Sequence, residues 1–187
     1  MKLAGLVYAA ISLAKQHQIN PGRTILQKIV YFALPPAQRR EVYIPYHYGP
    51  YSRVVQMVAD GLCANRYVCY AEETSTYSVK KDIPLKAIDA EKNLLDRLQK
   101  LMEFLKKKEL RETGEIAFLS KIVHFDANRP DGLEDREFPS FARQKSRLYD
   151  WQEVAGAHDQ KILQNLHLVR ELNHLLEDGD RGRAQAH

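Results

Sequence analysis

The sequence predicts a mainly helical α+β protein: a winged helix-turn-helix-like N-terminal half with a small β-hairpin, then a helical C-terminal half. Three observations carry this. Apolar residues recur at steps of three and four over most of the chain, the period of one helical face. Two short alternating runs, 67–70 and 77–80, flank a polar centre and read as a β-hairpin. Asn20-Pro21-Gly22, Pro35-Pro36 and Gly49-Pro50 cut the N-terminal half into separate elements.

Leu3, Leu6, Val7, Ala10, Ile11 and Ala14 give residues 3–17 one apolar helical face. A lysine ahead of an apolar run suggests a signal peptide. Tyr, Ser and Lys break the run, however, and no small-residue cleavage site follows, so it reads as an amphipathic helix of the mature protein. Asn20 or Thr24 caps a second helix over 23–34, with Leu26, Ile29, Val30 and Ala33 inward and Arg23, Gln27, Lys28 and Tyr31 outward. Pro35-Pro36 ends it, because proline lacks an amide proton and clashes with the preceding turn.

Residues 42–48 are rich in tyrosine and β-branched side chains, and Pro45 restricts them to an edge strand or extended loop. A third helix starts near Tyr51 or Ser52, with Val55, Val58, Ala59 and Leu62 inward and Arg53, Gln56, Asp60 and Asn65 outward. Helix, helix, short strand, helix, hairpin is the order of a winged helix-turn-helix. Residues 51–65 would be its recognition helix and the hairpin its wing. In the C-terminal half, Leu94, Leu98, Leu101 and Leu105 mark a long helix over 85–109, flanked by Leu95 and Met102. Lys106, Lys107 and Lys108 in its last turn suit the helix dipole. Further helices are expected over 112–124, 141–156 (on Leu148, Trp151 and Val154) and 158–177, with a loop over 125–140. The expected organisation is a winged-helix-like domain over 1–83, a helical subdomain packed on it over 84–178, and a disordered tail over 179–187.

Hydrophobic residues form 44% and charged residues 28% of the 187, which excludes long-range disorder. The net charge of +4 and pI near 9.0 admit nucleic acid as a partner without requiring it. No stretch approaches the roughly 20 apolar residues that span a bilayer, so no membrane partner is expected and the location is read as cytoplasmic. Cys63 and Cys69 are too few for a disulfide framework or a cysteine zinc site.

No catalytic residue, metal site or cofactor is assigned. Neither a nucleophile elbow nor a phosphate loop occurs. His167, Glu171 and His174 share a helical face but have no second Glu-x-x-His to complete a metal site. Adjacent acids such as Glu72-Glu73 and Glu134-Asp135 diverge, so they do not form the opposed carboxylates of a hydrolase. A hydrolase or metal enzyme is the third reading of the chain, behind two binding functions. Tyr43, Tyr46, Tyr48 and Tyr51 crowd into nine residues near Arg39, Arg40, His47 and Arg53. Tyrosine joins an apolar body to a polar tip, which suits an interface; packing of the same rings against the helices is the alternative.

TILQKIVYFA at 24–33 and YHYGPYSR at 46–53 resemble the signature of the Panacea antitoxin domain family and its bacterial and archaeal relatives. The matching residues are Leu26, Gln27, Lys28, Tyr31, Tyr48, Gly49 and Pro50, and the likeness covers roughly 3–65. His47 stands near where that family commonly carries Trp, and 35–42 form an arginine-rich insert. The resemblance implies a non-catalytic protein that neutralises a partner toxin or hands a protein to a protease. Two roles are open for Gln27 and Lys28: contact residues on an outward face, or braces of the Gly49-Pro50 turn through hydrogen bonds to backbone carbonyls.

The first expected function is therefore a regulatory protein that binds a protein partner, antitoxin- or adaptor-like, through Arg23, Gln27, Lys28, Tyr46, Tyr48, Gly49, Pro50 and Arg53. The second is a winged-helix transcription regulator, with Arg53 and Gln56 at base edges of double-stranded DNA and Lys80 and Lys81 on phosphates. Asp60, Glu72 and Glu73 would oppose DNA. Both readings leave room for a homodimer.

Overall fold

The computed structural model describes residues 3–84 and 87–184. In chain order the elements are α1 (Leu3–Gln16), α2 (Arg23–Ala33), α3 (Pro36–Val42), β1 (Ile44–Tyr46), β2 (Gly49–Tyr51), α4 (Arg53–Ala64), β3 (Val68–Ala71), β4 (Thr76–Val79), α5 (Lys92–Lys107), α6 (Thr113–Ala127), α7 (Phe138–Leu148), α8 (Gln152–Ala155) and α9 (Asp159–Ala184). The mainly helical class and the hairpin at 67–80 are as the sequence predicts. The winged-helix order gains a helix, α3, and a strand, β2. β1 does not join the β3–β4 hairpin; it pairs antiparallel with β2, Ile44 opposite Tyr51 and Tyr46 opposite Gly49.

α2 lies at the centre, in contact with α1, α4, α5, α6 and β2. Beyond its first turn, where Arg23 is exposed as expected, a helix packed on so many sides has no solvent face, which corrects the expected orientation of Gln27, Lys28 and Tyr31: all three are buried. α1 is likewise buried from Leu3 to Ala14 apart from Ala4 and Gly5, and so is not amphipathic in the expected sense. One continuous hydrophobic cluster takes in Leu6, Ile29 and Phe32 from the N-terminal half together with Leu98, Ile122, Phe138 and Leu172 from the C-terminal half.

The helix ends differ from expectation for local reasons. Gly22, not Asn20 or Thr24, caps α2, and no side chain bonds its first amides. Arg39, from the arginine-rich stretch, is buried and donates to the carbonyls of Phe32 and Leu34, closing the end of α2. The helix expected from 85 starts at Lys92; Leu85 and Lys86 lie outside the described residues. α6 runs on to Ala127, and the shortened loop after it is fixed by Asp135, which accepts from Arg129 and Arg170. The helix expected over 141–156 divides at Asp150, whose φ of +55° lies in the left-handed region. Leu148 is therefore exposed, while Trp151 and Val154 are buried as expected. The tail expected from 179 is helical through Ala184, and residues 185–187 lie outside the described part. Among the described residues no helix is long and apolar enough to cross a membrane.

Candidate functional site

Strands of three residues cannot hold a hairpin together in water. Buried side chains hold β1–β2 instead. The Gln27 amide binds Ser52 both ways: Nε2 donates to the Ser52 carbonyl at 3.1 Å, and Oε1 accepts the Ser52 amide at 2.9 Å. The Lys28 Nζ donates to the Pro50 carbonyl at 2.7 Å. Tyr43 Oη donates to the Gln27 carbonyl, and Trp151 Nε1 donates to the Tyr46 carbonyl at 2.6 Å. Gln27 and Lys28 thus make the bracing hydrogen bonds to the backbone of the turn, and both also line the cleft beside it.

Gly49 fits this frame for two reasons. Its φ of +98° is open to glycine at little cost. A Cβ there would lie 3.0 Å from Ser120 Oγ, 3.3 Å from Lys121 Cγ and 3.4 Å from Lys28 Cε. The turn thus rests on the stems of two buried lysines. Lys121 pairs with Glu153 at 2.8 Å. Burial, and then the nearby Lys121 charge, push the Lys28 amine down to about 7. His124, packed edge-on to Trp151 and Tyr149, is held below the ordinary histidine range by burial.

Braced from below, the hairpin presents its other side chains outward. Tyr46 and Tyr48 are 50% and 66% exposed, and Tyr46 packs on Tyr51 with ring centroids 5.2 Å apart. Six large hydrophobic residues are exposed among the described residues, and five of them fall within 44–57: Ile44, Tyr46, Tyr48, Val54 and Met57. Beside them opens a cleft of about 400 Å³, bounded by Arg23, Thr24, Gln27, Lys28, Tyr46, Tyr48, Gly49, Tyr51, Gln56 and Asp60. The structure thus gathers Arg23, Gln27, Lys28, Tyr46, Tyr48 and Gly49 around one cavity. Pro50 is buried beneath it, and Arg53 is exposed at the start of α4. Arg23 lies over the Tyr70 ring at 4.3 Å and faces Glu72 at 3.5 Å, linking the cleft to the second hairpin.

The proposed DNA-contacting residues are less suitably placed. Gln56 is half-buried and already donates to Asp60 at 2.9 Å and to the Tyr77 hydroxyl at 3.1 Å. Lys80 and Lys81 are exposed after β4, with the Lys81 Nζ above the Tyr67 ring at 5.2 Å. Arg53 is the one basic residue of α4, whose exposed positions also include Val54, Met57 and Asp60.

His167, Glu171 and His174 form no metal cluster, and the described residues hold no group of three such ligands. Glu171 is paired with Lys108 at 2.7 Å. Burial raises the Cys63 thiol, the opposite of an activated nucleophile. Lys121, Glu153 and Trp151 support the hairpin; the sequence reading placed Trp151 only in the apolar set of a helix and did not single out Lys121 or Glu153. The signal for Lys121 was present: it is the one charged residue in the apolar run IAFLSKIV at 116–123. Trp151 sits 105 residues from Tyr46, whose carbonyl it holds, and Glu153 acts through Lys121, so no local pattern links either to the hairpin. Compared with known proteins, the sequence matches no family model and no curated protein.

Proposed function

We propose that this chain is a non-catalytic regulatory protein that binds a protein partner through the β1–β2 hairpin, the start of α4 and the cleft beside them. The exposure of Ile44, Tyr46, Tyr48, Val54 and Met57 within one stretch of 14 residues carries this reading. Aromatic residues and methionine are enriched at protein interfaces, and arginine, here Arg23 and Arg53, is enriched with them. The rigid mounting adds to it, because a face fixed before binding loses less conformational entropy on association. The antitoxin- or adaptor-like form of the reading rests on the resemblance of Leu26, Gln27, Lys28, Tyr31, Tyr48, Gly49 and Pro50 to the Panacea pattern. Gln27, Lys28, Gly49 and Pro50 would serve that form by holding Tyr46 and Tyr48 in place. The reading is tested by affinity capture from the native lysate with the wild-type chain and a Tyr48→Ser/Met57→Ser variant. A stoichiometric partner retained by the first and lost by the second is the expected result; equal retention would contradict it.

The second reading, a DNA-binding regulator, draws on the element order and on Arg53, Lys80 and Lys81. It requires binding to random duplex DNA that weakens steeply with salt. Exposed Val54 and Met57 on the helix that would enter the groove weigh against it, as do Asp60 and the fixed Gln56 amide.

A further inference from the structure

Two ammonium groups are buried under Gly49, and only one has an anion. Lys121 has Glu153. Lys28 is 2% exposed and donates to a neutral carbonyl, and among the described residues no carboxylate lies within ion-pair distance of it. An ammonium has three donors, so two remain beyond the bond to Pro50. A buried cation without a counter-charge is costly, and the chain can relieve it by releasing the proton or by taking up an anion. Lys28 also lines the cleft. Arg23 stands at the same cavity, with the hydroxyl-bearing side chains of Thr24, Tyr46, Tyr48 and Tyr51 around it. Asp60 is the one acid of that lining, and its Oδ1 is occupied by the Gln56 amide.

We infer that the cleft is a carboxylate receptor: it takes the side-chain carboxylate of an acidic residue on a protein partner, between Lys28 and Arg23. The inference rests on the protein-binding reading and names the chemistry that the partner must present. A cavity of about 400 Å³ accommodates a side chain with its flanking backbone rather than a folded domain. The exposed Tyr46 and Tyr48, which line the cleft, then cover the ion pair and exclude water, which strengthens it.

Proton linkage follows. The free Lys28 amine titrates near 7. A bound carboxylate favours its charged form and raises that value, so binding takes up a proton. Affinity is highest below about pH 7 and falls as pH rises toward the bound value. The other charged or titratable groups around this region are Lys121 and Glu153 from α6 and α8, Arg23 from α2 with Glu72 and Tyr70 of the second hairpin against it, Asp60 from α4, Tyr77 from β4 through Gln56, and His47 with the three tyrosines from the first hairpin.

The test is calorimetric titration of the purified chain with capped hexaglutamate, with capped hexaglutamine, phosphate and random duplex DNA alongside, between pH 6.5 and 9. In parallel the Lys28 Cε resonance is followed in lysine-labelled protein. Saturable hexaglutamate binding is expected, weakening by about tenfold over this range, with the Lys28 resonance titrating at higher pH once the peptide is bound. Arg23→Ala, at an exposed position, should weaken binding about tenfold. Lys28→Met should remove the pH slope, and His47→Gln should keep it. Equal binding of hexaglutamine, an unmoved Lys28 titration, or tighter binding of phosphate or DNA would each overturn the inference. If Lys28→Met fails to fold, the wild-type resonance and Arg23→Ala still decide. Failure here, with a partner still lost in Tyr48→Ser/Met57→Ser, would remove the carboxylate receptor and leave the protein-binding face standing.

Discussion

The two hairpins flank α4 in the chain and are built on opposite principles. β3–β4 has four-residue strands in continuous register, Val68 opposite Val79 through Ala71 opposite Thr76, and tyrosines 70 and 77 pack across it. Its outside ties add to that ladder and do not replace it: the Tyr77 amide to the Pro21 carbonyl, Gln56 to the Tyr77 hydroxyl, Arg23 over Tyr70 and facing Glu72, and Tyr8 Oη bridging the Lys81 carbonyl and the Ile83 amide. β1–β2 has three-residue strands, and each strand contains a proline. Nearly all that fixes it comes from elsewhere: Gln27 and Lys28 from α2, Tyr43 before β1, Lys121 from α6, and Trp151 ahead of α8. A hairpin held by its own ladder is a local structure, whereas one held by distant buried groups is a tertiary structure, and its outer side chains are positioned by the whole protein. That mounting is why the tyrosines of β1–β2 are the better candidates for recognition.

Trp151→Ala should produce the largest difference between the two hairpins. It removes a fully buried indole and the hydrogen bond to Tyr46, for a loss of about 3–5 kcal/mol in chemical denaturation. Amide exchange in 44–51 should accelerate far more than in 68–79; equal acceleration would mean that the hairpins are not held differently. Gln27→Ala should follow at about 1–3 kcal/mol, because it leaves the buried Ser52 amide unsatisfied and takes from the Ser52 carbonyl one of its two donors, the Gln56 amide remaining.

The pH dependence of stability comes next. Folded Lys28 titrates near 7 against an ordinary 10.5, so between these values the unfolded chain holds more protons and stability rises with pH. Below pH 7 the cost of burying the charge is fully present. Denaturation at pH 7, 8 and 9 should show a contribution of up to about 1.4 kcal/mol per unit that vanishes in Lys28→Met. The smallest effect belongs to the other hairpin. Ser75, at its tip, has a φ of +52°, and Ser75→Gly should change stability by under about 1 kcal/mol with no effect on exchange in 44–51.

The helices were legible where one face meets solvent, as in α5 and α9, and the β3–β4 hairpin was legible from its alternation. Burial of α1 and α2 on every side was not. A periodic stripe identifies one inner face and assigns the polar remainder outward, which placed Gln27, Lys28 and Tyr31 on the wrong side. The crowding of tyrosines and the Gly49-Pro50 turn identified the right neighbourhood. What holds the hairpin beside the cleft depended on Lys121, with its partner Glu153, and on Trp151, which meet through sequence separations that no local pattern encodes. The break at Asp150 was equally hidden, since it needs a left-handed backbone at an ordinary residue.

The central claim is that the rigidly mounted tyrosine face contacts a protein. The most direct measurement places a photoreactive benzoylphenylalanine at Tyr48 and, in a second variant, at Glu73 on the polar tip of the other hairpin, with crosslinking in the native lysate and quantification of adducts. One dominant protein adduct at position 48, absent at position 73 and lost when Tyr46→Ser and Met57→Ser are added, is the predicted result. Equal, diffuse labelling at both positions, or crosslinking at 48 to nucleic acid alone, would contradict the account.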